Sequence, residues 1–469
     1  MIPLCFPQAL TLRSQDSPPI NLSSYKPENG STLDLSRVYL FLEETYQAML
    51  ANCRNNGLQP PIPLIHNIIR AIPACPMELK NYWQQKINYQ NKLKICLING
   101  GGGGLGDAVM FAPALKILST YLKNKAGSSD IKLDVFSGLP TRTGAILKDI
   151  SGLRVHPLPL TLQQFSGYDL YADFSAIMRD ESFAHTHMTD LALAQMGISP
   201  ETIEDTLKAP SLRLAPPTGP VAAALGCARQ AAGARPLTAV IFTATKTRSM
   251  PADLAAAVMK EILPMAQPVI IMPPGLDSKE FLRNNALEEI ALDMSPVSKD
   301  FFSYTAILAG LDAIISVDTS AVHIGAALGK PTIGIFSSID HKLRVRYSKN
   351  VHPIQIVYKG RSCEAPCGLS KNRFYYSTTL ANGRKISWDF GYSCAEAFNE
   401  QKISSWLNAQ LRQIEINDNL DERLRSIRHQ ASEQFTLQSS PCWQALRVSA
   451  VRELLSQILF GDKNHVGTE

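Results

Sequence analysis

The spacing of apolar positions along the chain changes in a regular way after Lys92. KLKICLING is a short apolar run ending in glycine, as expected of a strand buried on both faces. From Asp107 to Lys123 the apolar spacing shifts to three and four, which predicts a helix. IKLDVFSG, LRVHPLP and YDLYADFSA predict further strands, with RTGAILKDI a short helix among them. A stretch rich in Pro, Ala and Gly, from about Leu207 to Arg235, reads as a linker. Beyond it PLTAVIFTAT, PVIIMPPG, DAIISVD and PTIGIF predict strands, and ADLAAAVMKEIL, FFSYTAILAG and SAVHIGAALG predict helices. Such alternation implies βαβ crossovers and mostly parallel sheets. The fold class expected is α/β, with two Rossmann-like domains facing a cleft.

Both flanks differ from this pattern. Before Lys92, Pro-rich pieces surround LSRVYLFLEETYQAMLANC, whose apolar period is helical, so residues 1–90 read as a helical, Pro-rich N-terminal extension. The expected division is then 91–215 for the first Rossmann-like domain, 236–400 for the second and 401–469 for C-terminal helices. At 469 residues, with 45% hydrophobic and 19% charged, the chain has apolar material for two cores. A net charge of +5 without any Lys/Arg-rich run gives no reason to expect a nucleic-acid partner. The N-terminus lacks a basic segment followed by an apolar core, and no run approaches ~18 consecutive apolar residues. A cytoplasmic protein is expected, at most attached to a membrane surface.

Several groups could carry chemistry. Residues 99–107 read NGGGGGLGD between a strand and a helix, so the backbone near Gly104 and Gly106 can approach a ligand closely. The run contains G-x-G-x-x-G, but the dinucleotide reading wants an acidic residue at the end of the second strand, and that strand ends in Ser-Gly. Asp107 reads either as a helix cap or as a general base at a strand end. In DAIISVDTSAVHIGAALG a buried strand ends at Asp318, and Thr319 and Ser320 open a helix carrying His323. That helix start suits a diphosphate, although plain capping and a core histidine explain the same residues. Thr243, Thr245 and Lys246, after the first strand of this half, are placed to meet phosphates, while Lys246 alone reads equally as a solvated lysine. Most of the nine cysteines sit singly in apolar contexts. Cys363, Cys367 and Cys394 form a looser group that could hold a metal only if a fourth ligand joined them.

Taken together, these elements resemble the family-nine glycosyltransferases, whose best-known members are the ADP-heptose:lipopolysaccharide heptosyltransferases. The resemblance runs from about Lys92 to Phe398. VDTSAVHIGAALGKPTIGIF is similar to the family's D-T-(small)-x-x-H-x-x-A-A-x-x-K-P run, and GLGDAVMFAPALKIL to its G-D-x-x-x-x-x-P-x-L-K element. TKTRSMPADLAAAV resembles a K-x-W-P helix start with Met250 in the place of tryptophan, and CEAPC resembles a C-x-P-C element. The glycine run is longer than the family's turn, and residues 1–90 lie outside the family core. The resemblance implies a GT-B-type fold, with an acceptor domain followed by a nucleotide-sugar domain. It also implies inversion at the anomeric carbon with no required metal cofactor. By the same resemblance Asp107 is the base, and Thr243, Thr245 and Lys246 contact donor phosphates. Asp318 contacts the sugar, and Thr319, Ser320 and His323 form the helix-start donor site. The implied donor is ADP-heptose, and the acceptor a lipid-linked or lipopolysaccharide-core glycan or a protein. A catalytically silent nucleotide-sugar binder is the alternative from another class.

Overall fold

The computed structural model describes residues 11–12, 20–21, 38–40, 62–64, 76–83, 93–101, 104–126, 131–158, 160–174, 177, 181–244, 248–360, 364–368, 373–380, 383, 385–392, 400–412, 420–435 and 440–461. The chain divides into two units, Met1–Pro210 and Ser211–Glu469.

In the first unit five parallel strands form one sheet. They are β1 (Met77–Glu78), β2 (Leu93–Ile98), β3 (Ile131–Ser137), β4 (Leu153–Pro157) and β5 (Leu170–Asp173), in the spatial order β1-β5-β2-β3-β4. The edge strand β1 comes from the segment read as a helical extension. Val38–Leu40, inside the predicted helix of that extension, is instead a strand between Ile62–Leu64 and Leu160–Thr161. Val, Tyr and Leu suit a pleated surface as well as a helical stripe, and pairing with distant segments decides between them. The rest of that predicted helix lies outside the described residues. Helices α1 (Leu105–Ala126), α2 (Pro140–Leu147) and α3 (Met188–Gln195) complete the unit. By length and composition Leu105–Asn124 is apolar enough to cross a membrane, which the sequence reading missed, but 67% of that window is buried inside the protein, as in a core helix.

The second unit has a six-stranded, fully parallel sheet ordered β8-β7-β6-β9-β10-β11. Its strands are β6 (Leu237–Ile241), β7 (Gln267–Ile270), β8 (Leu292–Asp293), β9 (Ala313–Val317), β10 (Thr332–Phe336) and β11 (Val351–Gln355). Every residue of β6, β9 and β10 is buried, which accounts for their largely apolar sequences. The stretch read as a linker contains α4 (Gly219–Ala232). Its Pro220 sits at the helix start, where a missing N–H costs nothing, and its alanines favour the helix. Arg229 clamps α4 in place, pairing with Asp312 and donating to the Gly310 carbonyl at 2.8 Å.

The connecting helices are α5 (Ala252–Ile262), α6 (Ser278–Asn284), α7 (Phe301–Gly310) and α8 (Ser320–Ala327). Further on, β12 (Arg373–Thr379) and β13 (Lys385–Tyr392) pair as an antiparallel hairpin. Helices α9 (Glu400–Arg412) and α10 (Leu420–Phe435) share a small core of Ile386, Ile403, Leu407, Leu424 and Ile427. The last helix, α11 (Val448–Phe460), packs on the core of the second unit. Val451 and Leu455, with Cys442 and Trp443 before them, lie in the same core as Met250, Met259 and Ile262 of the second unit. Arg452 also reaches Glu261 of α5 at 2.9 Å.

Candidate functional site

In an open parallel sheet, ligands bind outside the carboxyl ends of the strands, where successive crossovers change direction. In the first unit that point lies between β2 and β5. After β2 the chain turns at Asn99, in the left-handed region at φ 55°. Asn99 is buried, and its side-chain oxygen has no hydrogen-bond partner. Gly101 lies against α2, where an added Cβ would stand 2.8 Å from Thr143. The chain then enters α1 with Gly104 as its cap, since Ala108 N–H donates to the Gly104 carbonyl at 3.1 Å. Asp107 is half-buried in the first turn and accepts the Gly104 N–H at 2.9 Å. This is the returning half of a capping box. A side chain at Gly104 would stand 3.1 Å from that carboxylate, so glycine lets the two approach. Asp107 therefore caps α1, and that position is compatible with proton abstraction as well. Gly106 lies inside the same turn, half-buried.

The opposite side of this sheet has a polar cluster that sequence reading passed over. Asp134 on β3 is buried, accepting two bonds from Arg154 at 2.8 and 2.9 Å, one from Tyr168 at 3.0 Å, and pairing with His156 at 3.1 Å. Burial pushes the carboxyl up, but these bonds outweigh it and hold the carboxyl below its ordinary range. No motif marks the cluster, because its members are far apart in sequence and meet only through strand register.

The corresponding point in the second unit lies between β6 and β9. Thr243, half-buried, follows β6. Thr245 and Lys246 lie outside the described residues. The chain returns at Arg248 and Ser249, whose hydroxyl is bonded to both the N–H and the carbonyl of Ala244 at 2.9 and 2.8 Å. Met250 is buried in the core beside the start of α5. With Met250 at the tryptophan of K-x-W-P, the lysine position falls on Arg248, two residues after Lys246. Arg248 Nη1 donates to Asp318 Oδ2 at 3.1 Å, across the point where the crossovers reverse. That arginine could have been found in the sequence by counting back from Met250.

Asp318 ends β9 and is 3% exposed, with its backbone N–H bonded to the Ile335 carbonyl at 3.1 Å. Thr319 caps α8 by accepting the Ala321 N–H at 3.2 Å, and its hydroxyl meets Ser316 at 3.1 Å. The Ser320 hydroxyl is hydrogen-bonded to Tyr304 of α7, whose phenol is pushed up by burial. His323 is buried on the next turn of α8. Gly325 lets this helix lie directly on the sheet, because a Cβ there would collide with Thr332 and stand 2.9 Å from Ile314. Beyond β10, the Ser338 hydroxyl is buried without a hydrogen-bond partner at the same end of the sheet.

The structure thus brings Arg248, Asp318, Thr319 and Ser320 to one end of one sheet. Asp107 and the glycine turn stand at the corresponding end of the other. Of the cysteine group, Cys367 is half-buried, while Cys363 and Cys394 lie outside the described residues. Among the described residues no three His, Cys, Asp or Glu side chains are grouped as metal ligands.

Comparison with known proteins bears on the second unit. Residues 287–371 match the model of glycosyltransferase family 9 (heptosyltransferase). No curated protein sequence matches the chain. Among solved structures, the ADP-heptose lipopolysaccharide heptosyltransferase II of E. coli is 14% identical with a TM-score of 0.44, over 57% of this chain and 92% of its own. A family 9 glycosyl transferase of Veillonella parvula is 13% identical with a TM-score of 0.42, over 56% and 86%. The iron-containing dodecameric glycosyltransferase TibC of enterotoxigenic E. coli H10407 is 10% identical with a TM-score of 0.45, over 80% and 78%. The matched segment, residues 287–371, is the part of the chain that carries Asp318, Thr319, Ser320 and His323 and is similar to the glycosyltransferase family 9 (heptosyltransferase) model.

Proposed function

We propose that this protein is an inverting glycosyltransferase that uses a nucleotide-sugar, with heptose from ADP-heptose as the donor to test first. The observation that carries this reading is the group Arg248, Asp318, Thr319 and Ser320 at the carboxyl ends of β6 and β9, three of whose members lie within the family 9 segment. A helix start with a nearby guanidinium suits a nucleoside diphosphate, because both present fixed positive potential to its oxygens. In the reaction, an acceptor hydroxyl oxygen attacks the anomeric carbon and the bond from that carbon to the diphosphate oxygen breaks. Asp107 takes the hydroxyl proton, and Arg248 and the α8 start stabilise the departing diphosphate. Positive charge from the protein then serves where a metal ion serves in other transferases. The proposed acceptor is a lipopolysaccharide-type glycan, with the protein in the cytoplasm at the inner membrane.

Thermal shift with ADP-, UDP- and GDP-sugars, followed by an assay of nucleoside diphosphate release, tests this reading. A stabilising shift with one donor and release of its diphosphate are expected. Absence of binding and release with every donor would refute it.

A further inference from the structure

Asp318 is a buried carboxylate in an unusual position with respect to its donors. A carboxylate only accepts hydrogen bonds, and a buried one must be paired. The hydroxyls nearest in sequence are already committed: Ser316 donates to the Val317 carbonyl at 2.8 Å and meets Thr319 at 3.1 Å, and Ser320 is bonded to Tyr304. The Asp318 backbone N–H is bonded to Ile335. Among the described residues Arg248 is the side chain that pairs with the Asp318 carboxylate. The same guanidinium is the cation placed to meet a diphosphate, so phosphate oxygens and Asp318 compete for it.

We infer that the Arg248–Asp318 pair makes the nucleotide site discriminate between a nucleotide-sugar and the bare nucleoside diphosphate. This rests on the donor-site reading given above. A nucleoside diphosphate that draws Arg248 away strands Asp318 and places more negative charge beside it. An intact nucleotide-sugar brings hydroxyl groups that can donate to the carboxylate as Arg248 turns to the phosphates. The spent nucleotide is therefore held less tightly than the donor, which favours its release after transfer.

The test compares ADP with ADP-heptose, and UDP and GDP with their glucose and mannose conjugates, by calorimetry on the full-length protein. The wild type is expected to bind the conjugate about tenfold more tightly than the bare diphosphate, equivalent to about 1.4 kcal/mol. Asp318→Asn keeps the side-chain shape without the charge. It is expected to tighten the bare diphosphate, loosen the conjugate and remove most of that ratio. Equal binding of the two ligands by the wild type overturns the inference without any variant, and so does a ratio unaltered in Asp318→Asn. Absence of binding by every nucleotide tested refutes the donor-site reading itself, and the inference with it.

Discussion

The carboxylate of Asp107 accepts the Gly104 N–H, and the proposed chemistry asks the same group to take a proton. Asp107→Asn separates the two roles, because an amide oxygen still caps the helix but cannot serve as the base. Turnover is expected to fall by about 10²–10⁴ with little change in melting temperature. Asp107→Ala should show the same loss of rate and in addition lose about 1 kcal/mol of stability. Donor-consumption rates alongside thermal melts separate these outcomes. At Arg248 the expectation is different. Arg248→Met removes the donor to a buried carboxylate, so both nucleotide affinity and stability should drop, as calorimetry and urea unfolding would show. The places of Asp318, Thr319 and His323 at the end of β9 and the start of α8 were legible in the sequence because they fall on one short strand–turn–helix run. Arg248 was overlooked because a neighbouring lysine fitted the residue type, although the spacing from Met250 pointed to the arginine.

Strands and helices with a clean period were legible almost to their ends. FFSYTAILAG is the whole of α7, and PTIGIF covers β10. Elements decided by pairing were not. Val38–Leu40 needs partners 24 and about 120 positions away in its three-strand sheet, and α4 was hidden by a proline at a helix start. Close packing of elements gives a direct prediction at Gly325. Gly325→Ala puts a methyl group between α8 and β10, and urea unfolding is expected to show a loss of about 1–3 kcal/mol. The Asp134 cluster ties β3 to β4 and to the segment before β5, and it predicts a pH dependence. Its carboxyl is held below the ordinary value in the folded state, so its stabilisation is present above the unfolded value, about 3.9. It is lost as pH falls through the folded value. Thermal melts should therefore decline below about pH 4, and Asp134→Asn should be less stable at neutral pH and show a shallower decline on acidification.

At the scale of the molecule, the second unit has its own complete sheet, its own covering helices and a core that includes Trp443, Val451 and Leu455. A fragment from Ser211 to Glu469 is expected to fold and to melt in a single transition, measured by calorimetry. The same fragment ended before Pro441 should not, because it loses Trp443 and the apolar face of α11. That two-unit plan was legible from the alternating pattern, but the place of residues 440–460 was not, since an amphipathic helix does not announce which core it covers. During synthesis, β6 leaves the ribosome long before α11, an interval on the order of ten seconds or more at ordinary elongation rates. Through that time the core around Met259 and Ile262 lacks Trp443, Val451 and Leu455. Translation products truncated before Pro441 are therefore expected to aggregate more readily than the full chain, as a pelleting assay would show.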